Sequence, residues 1–277
     1  MGTQSRFQHL LAVPALVAKR TVQAGAALLI GTSIALAAGG GEPTVCTPKD
    51  VPHNDRHWGF QGVFGHYDKK AAFRGFEVFR GTCAACHSLK YFTFRNLADL
   101  DVPEDAIKGI AAEYEVMAEP NDDGEVLPRT AIPSDYFPSP FANEKAAASV
   151  NGGAVPPDLS LMVKARASFE NHVPNILDGY MDAPEGCEVP EGKYYNAHYP
   201  GYIISMAPPL ADDAIEYKDG TKATKEQMIK DVSEFLAYVA EPKLEERKSM
   251  GFKIVIFLLI LTVLLYLTKK QVWRKLH

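Results

Sequence analysis

Cysteine is scarce in this chain of 277 residues, with four in all, at positions 46, 83, 86 and 187. A zinc site built on Cys83 and Cys86 needs a second ligand pair, which four cysteines so placed do not supply. Acid is missing from both ends. All 34 Asp and Glu lie between Glu42 and Glu246 together with 19 of the 29 Lys and Arg, so that stretch carries −15 although the whole chain carries only −5. An acidic middle excludes nucleic acid as a partner and suits a basic protein. Long apolar runs without charge are also few: one extends from Thr21 to Gly41, the other from Ile254 to Thr268. With 47% hydrophobic residues, the chain can build one sizeable domain plus membrane segments.

What is present turns on Cys83-Ala84-Ala85-Cys86-His87. Two cysteines separated by two residues and followed at once by histidine form a c-type haem attachment signature. The spacing lets both sulfurs reach one edge of the ring, where each forms a thioether with a vinyl group, and it sets the histidine beneath the iron. A thioredoxin-like redox pair does not require His87.

Before the motif, Arg6, Lys19 and Arg20 precede the first apolar run, and Ala35-Leu36-Ala37 offers a small-x-small cleavage site. This pattern predicts a signal peptide over residues 1–37. A retained helix and a mitochondrial presequence are the alternatives, and Ala/Leu richness with few arginines favours bacterial export. Export places the domain in an oxidising compartment, where Cys46 and Cys187 either pair or remain free thiols. Asp68 is set to cap a helix whose apolar face is Ala72, Phe73, Phe76 and Phe79, with Gly81 breaking it before the motif.

Asp99 to Glu125 holds ten acids against Lys108 alone, which is either a solvated face or a docking surface for a basic redox partner. A loop-like region from Pro128 to about Ala142 follows. Asn151-Gly152-Gly153 predicts a tight turn, and Pro156-Pro157-Asp158 predicts the entry to a helix capped by Asp158, with Arg166 about two turns inside it. For a second axial ligand, Met206 ahead of Pro208-Pro209 stands in a stiffened loop, and His198 is the rival. Thr224-Lys225-Glu226-Gln227 reads as a capping box before a helix with Met228, Val232, Phe235, Leu236 and Val239 on its apolar face, ended by Pro242. Residues 250–268 form a candidate membrane anchor flanked by lysines and Trp273.

Together these motifs resemble cytochrome c1, the haem c subunit of the cytochrome bc1 complex. The resemblance rests on Trp58-Gly59-Phe60 with Gly62-Val63-Phe64-Gly65, Arg74-Gly75-Phe76 leading to the cysteine motif, and Ser134-Asp135-Tyr136-Phe137-Pro138. It continues through Gly153-Ala154-Val155-Pro156-Pro157-Asp158-Leu159-Ser160, Lys164-Ala165-Arg166, Met206-Ala207-Pro208-Pro209 and Ala240-Glu241-Pro242.

It implies a mainly α, cytochrome c-type haem domain with long loop insertions, spanning residues 38–249 in the periplasm. A transmembrane anchor at 250–268 and a cytoplasmic tail at 269–277 would complete a single-pass protein of the bacterial inner membrane. One haem c is implied, bound by Cys83 and Cys86 and ligated by His87 and Met206, with Arg166 on a propionate and Asn151 and Pro157 lining the ring edge. The implied role is a relay, not an enzyme in its own right. Electrons arrive from the Rieske iron-sulfur protein and leave to a cytochrome c, with cytochrome b as neighbouring subunit.

Two departures stand out. His172 occupies the place of a family tyrosine near the haem. Some bacterial members pair two cysteines in the loop before the methionine, whereas this chain has only Cys187 there, leaving Cys46 as the available partner. The alternatives are an anchored mono-haem cytochrome c of another oxidase or reductase, and an open-haem peroxidase.

Overall fold

A computed structural model describes residues 46–48, 51 and 56–275. The expected signal peptide therefore lies outside the described residues. The fold is mainly helical, and its centre is a crossing of two helices far apart in sequence: α1, Lys69–Gly81, and α5, Lys225–Ala240. Asp68 begins α1 as expected, its carboxylate accepting from the amides of Lys70 and Ala71. The helix runs through Gly81 and is closed by Thr82. Thr224 caps α5 by accepting from the Gln227 amide. The reciprocal half of the capping box is not made: the Thr224 amide donates to the Lys222 carbonyl, and the Gln227 side chain donates to Asp231.

Gly75 sets how closely the two helices approach. A Cβ there would lie 2.0 Å from the Asp231 carbonyl oxygen and 2.6 Å from the Phe235 Cβ, so only glycine fits. Beside this contact, Arg74 donates Nε and Nη2 to the fully buried carboxylate of Asp231, which also accepts from Tyr217 and Gln227. Four donors on one buried carboxylate meet the requirement that a buried charge be paired and hydrogen-bonded.

Phe235 sits at the middle of the core. Its ring meets those of Phe76, Phe79 and Phe92 at centroid distances of 5.7, 5.9 and 5.4 Å. Each fully buried aromatic contributes roughly 1.5–3 kcal/mol from area removed from water.

The remaining elements cover this core and hold its loops. A 3-10 segment, Phe94–Leu100, leads to α2, Glu104–Ala112. β1, Glu115–Met117, pairs antiparallel with β2, Pro128–Thr130, so the region expected as loop from Pro128 begins as a strand. All ten acids from Asp99 to Glu125 are exposed. α3, Glu144–Val150, and α4, His172–Asp178, are short, and β3, Tyr194–Tyr195, pairs with β4, Ile203–Ile204. Cys46 and Cys187 form a disulfide.

One expectation is corrected. No helix starts at Asp158; residues 160–168 are turns and bends. The Asp158 carboxylate is committed to another segment and to an Asx turn with Ser160, which leaves it no role as a helix cap. Arg166 accordingly lies in a turn. The C-terminal helix α6, Leu244–Trp273, contains residues 250–268 and extends past them on both sides. Its most apolar 18-residue window has a mean hydropathy of 2.5, and none of that window is buried.

Candidate haem site

The cysteine motif begins where α1 ends. A 3-10 turn, Cys83–Ala85, is closed by the Cys86 and His87 amides, which both donate to the Cys83 carbonyl at 3.1 and 2.9 Å. In such a turn side chains three apart fall on one face, which brings Cys83 and Cys86 together. Both are free thiols. Burial, with a smaller push from Cys86, raises the Cys83 thiol to about 12.

The segment from Asn151 to Ser160 lies against this motif. Asn151 closes α3 by donating Nδ2 to the Ala147 carbonyl at 2.8 Å, which leaves its Oδ1 to face the Cys86 sulfur at 3.8 Å. Gly152 and Gly153, at φ +59° and +87°, then turn the chain as expected. The Pro157 carbonyl lies 2.8 Å from His87 Nδ1. A carbonyl only accepts, so Nδ1 carries the proton and Nε2 keeps its lone pair. Burial holds the His87 pKa below its ordinary value against the opposing pull of the Pro157 bond, so the imidazole is neutral.

Asp158 ties the two segments together. It accepts from Ser88 Oγ at 2.8 Å and the Lys90 amide at 2.9 Å, while the Leu159 amide donates to the Ser88 carbonyl and the Tyr91 amide to buried Ser160 Oγ. Burial alone would raise the Asp158 pKa; the hydrogen bonds outweigh it and hold the group ionised below the usual range.

Met206 arrives on a third segment, two residues beyond β4. It is half-buried against the same core as Cys83, Ala84 and Leu159. Its backbone is held by Tyr180, whose hydroxyl donates to the Met206 carbonyl at 2.9 Å. Tyr180 is itself bridged to Asn196, a fully buried residue that donates to the Ile176 carbonyl at 2.7 Å. The structure thus joins Cys83, Cys86, His87, Asn151 and Pro157 by direct contact and sets Met206 on the same core.

Arg166 stands apart. It is exposed, donates to the Ala165 carbonyl, and with burial as the larger cause depresses the pKa of His172. Sequence reading missed Tyr180, Ser88 and Asp158 as positioning residues. Ser88 had one available signal, its adjacency to the motif; Tyr180 acts across a long loop and had none.

Residues 58–276 match the Cytochrome C1 family. The chain belongs to that family. It is 44% identical over 275 residues to the cytochrome c1 of Rhodospirillum rubrum, covering 94% of this chain and 97% of the relative. It is 45% identical over 225 residues to the mitochondrial cytochrome c1 heme protein 1 of Arabidopsis thaliana, covering 80% of this chain and 73% of that one. The cytochrome b/c1 protein of Bradyrhizobium diazoefficiens is 38% identical over 302 residues, covering 99% of this chain and 44% of that longer protein. As a member of the cytochrome c1 family, this chain is a haem-carrying electron-transfer subunit of the bc1 complex and not catalytic on its own. Its apolar C-terminal helix fits a membrane-anchored protein.

Proposed function

We propose that this chain binds one haem c through thioethers to Cys83 and Cys86, with His87 Nε2 and the Met206 thioether as axial ligands. The observation that carries the reading is the His87 Nδ1 contact with the Pro157 carbonyl, which leaves a neutral ring with a donor nitrogen beside two free thiols. That donor set fits the group. When bound, haem c supplies a one-electron redox centre.

The chain's own residues do the rest. Pro157 and Asp158 orient His87 through the backbone, and Tyr180 holds the Met206 loop. Asn151 and Pro157 line the ring edge. Arg166, which is exposed, would turn its guanidinium to a propionate, whose charge would offset its own. His87 and Met206 would both hold the iron and leave no position for small molecules, which favours a relay over a peroxidase.

In this reading electrons come from a Rieske iron-sulfur protein and pass to a cytochrome c, with cytochrome b as the neighbouring subunit. The exposed acids from Asp99 to Glu125 recruit the acceptor. The haem domain, residues 38–249, faces the periplasm after removal of residues 1–37; residues 250–268 cross the bacterial inner membrane, and residues 269–277 end in the cytoplasm.

Carbon monoxide tests the ligand set. The reduced wild-type protein is expected not to bind it, and reduced Met206→Leu is expected to bind it. A Met206→Leu protein that still excludes carbon monoxide removes Met206 as a ligand. Purification from native membranes in mild detergent tests the wider role: b-type haems, a two-iron cluster and quinol-dependent reduction must accompany the chain.

A further inference from the structure

The loop from Gly59 to His66 carries two consecutive apolar residues at its tip, Val63 and Phe64, which are 63% and 73% exposed. Loop tips facing water are ordinarily polar and adaptable, and this one is neither. The Gln61 amide donates to the Trp58 carbonyl and the His66 amide to the Gly59 carbonyl, closing the loop on itself. Gly62 stands at φ +73°, and a Cβ on Gly65 would lie 2.1 Å from the Gln61 carbonyl oxygen, so glycine is required at both positions. From below, Lys248 Nζ donates to the carbonyls of Phe60 and Gly65. The tip is built rigid.

Its position gives it a depth. The Phe64 ring meets Phe252 of α6 edge-on at 5.8 Å. Residues 250–268 make about 28 Å of helix at 1.5 Å per residue, close to the thickness of a hydrocarbon core, with Phe252 in the first turn of the span and Lys269 just beyond its far end. Phe252 therefore lies at the boundary on the side of the soluble domain, and Phe64 lies level with it. Lys248, one turn earlier in α6, sits just outside, where its ammonium is satisfied by the loop carbonyls.

We propose that the 59–66 loop is a second membrane contact, a rigid wedge that seats Val63 and Phe64 in the lipid at the hydrocarbon boundary beside the anchor helix. The proposal rests on the membrane-anchor reading of α6. Two contacts, one helix and one wedge, fix the tilt of the soluble domain over the bilayer, which a single helix leaves free to swivel.

Nitroxide labels on the full-length protein in phosphatidylcholine vesicles test this. Labels are placed at Phe64→Cys and, separately, Val63→Cys, with Leu259→Cys as the mid-span reference and Val150→Cys as an exposed reference in water. Collision with dissolved oxygen reports lipid, and collision with a water-soluble nickel chelate reports water. At 63 and 64, oxygen collisions are expected to exceed nickel collisions, with a ratio between those of the two references. A nickel preference equal to that at 150, with 259 in lipid, overturns the wedge and leaves the anchor standing. A nickel preference at 259 as well overturns both readings. If neither reagent reaches 63 or 64, a protein partner covers the tip and the lipid assignment is wrong.

Discussion

At the scale of single residues, Glu234 gives the clearest linkage between charge and stability. It is 4% exposed on α5 and accepts from the Asp68 amide at 2.9 Å. Burial pushes its pKa up to about 7; the amide bond opposes the rise and the Asp68 carboxylate adds to it. The unfolded chain releases this proton near the ordinary glutamate value of about 4.3, while the folded chain keeps it to about pH 7. Between these values the folded state holds more protons, so stability falls as pH rises through the window and levels off above it. Glu234→Gln keeps the acceptor and removes the titration. It is expected to stabilise the protein by on the order of 3 kcal/mol at pH 8 and by little at pH 4, as read from unfolding midpoints across pH. A gain independent of pH would place the effect elsewhere. The Cys83, Cys86 and His87 motif was fully legible in the sequence because its chemistry is local. The Pro157 carbonyl was not, because a backbone oxygen carries no residue signature; Pro157 was expected at the ring edge and its main chain turns out to orient His87.

At the scale of elements, α1 and α5 were legible from helical spacing and their caps, and both ends fall where Asp68, Thr224 and Pro242 predict. Their close crossing was not legible, since one glycine among 21 gives no sign that another helix presses on it. Gly75→Ala is expected to cost at least about 2 kcal/mol, because the added methyl meets backbone that cannot rotate away. The measurement is a chemical denaturation midpoint, which falls with the slope unchanged; an unshifted midpoint would mean the helices part freely. The helix expected after Asp158 failed for a physical reason. An aspartate before an apolar stretch can cap a helix or tie two loops, and the choice depends on Ser88 and Lys90, some seventy residues away in the chain. Propensity sees the first use and not the second.

At the scale of the whole molecule, charge and covalent closure matter most. Neutralising Glu119, Asp122, Asp123 and Glu125 together by amide substitution is expected to slow encounter with a basic cytochrome c by about tenfold at low salt, and by far less at high salt, where screening hides both surfaces. Stopped-flow rates against ionic strength read the difference; parallel curves for the two proteins would remove this face as the docking surface. The Cys46–Cys187 disulfide closes a separation of 141 residues, and Cys187→Ser is expected to cost about 2–4 kcal/mol, lowering the unfolding midpoint by roughly 5–15 °C. Thermal unfolding with and without reductant checks this: the wild type should shift under reductant and the variant should not. The same bond constrains manufacture. A single bond among four thiols can form in six ways, and only the Cys46–Cys187 bond leaves both Cys83 and Cys86 free. Cys46 is made first and its partner last, with the other two thiols emerging in between, so oxidation in order of appearance would trap the wrong pair. The chain must therefore be kept reduced, or its errors reshuffled, until synthesis has passed Cys187, which makes quality control of thiols an essential step in producing this redox protein.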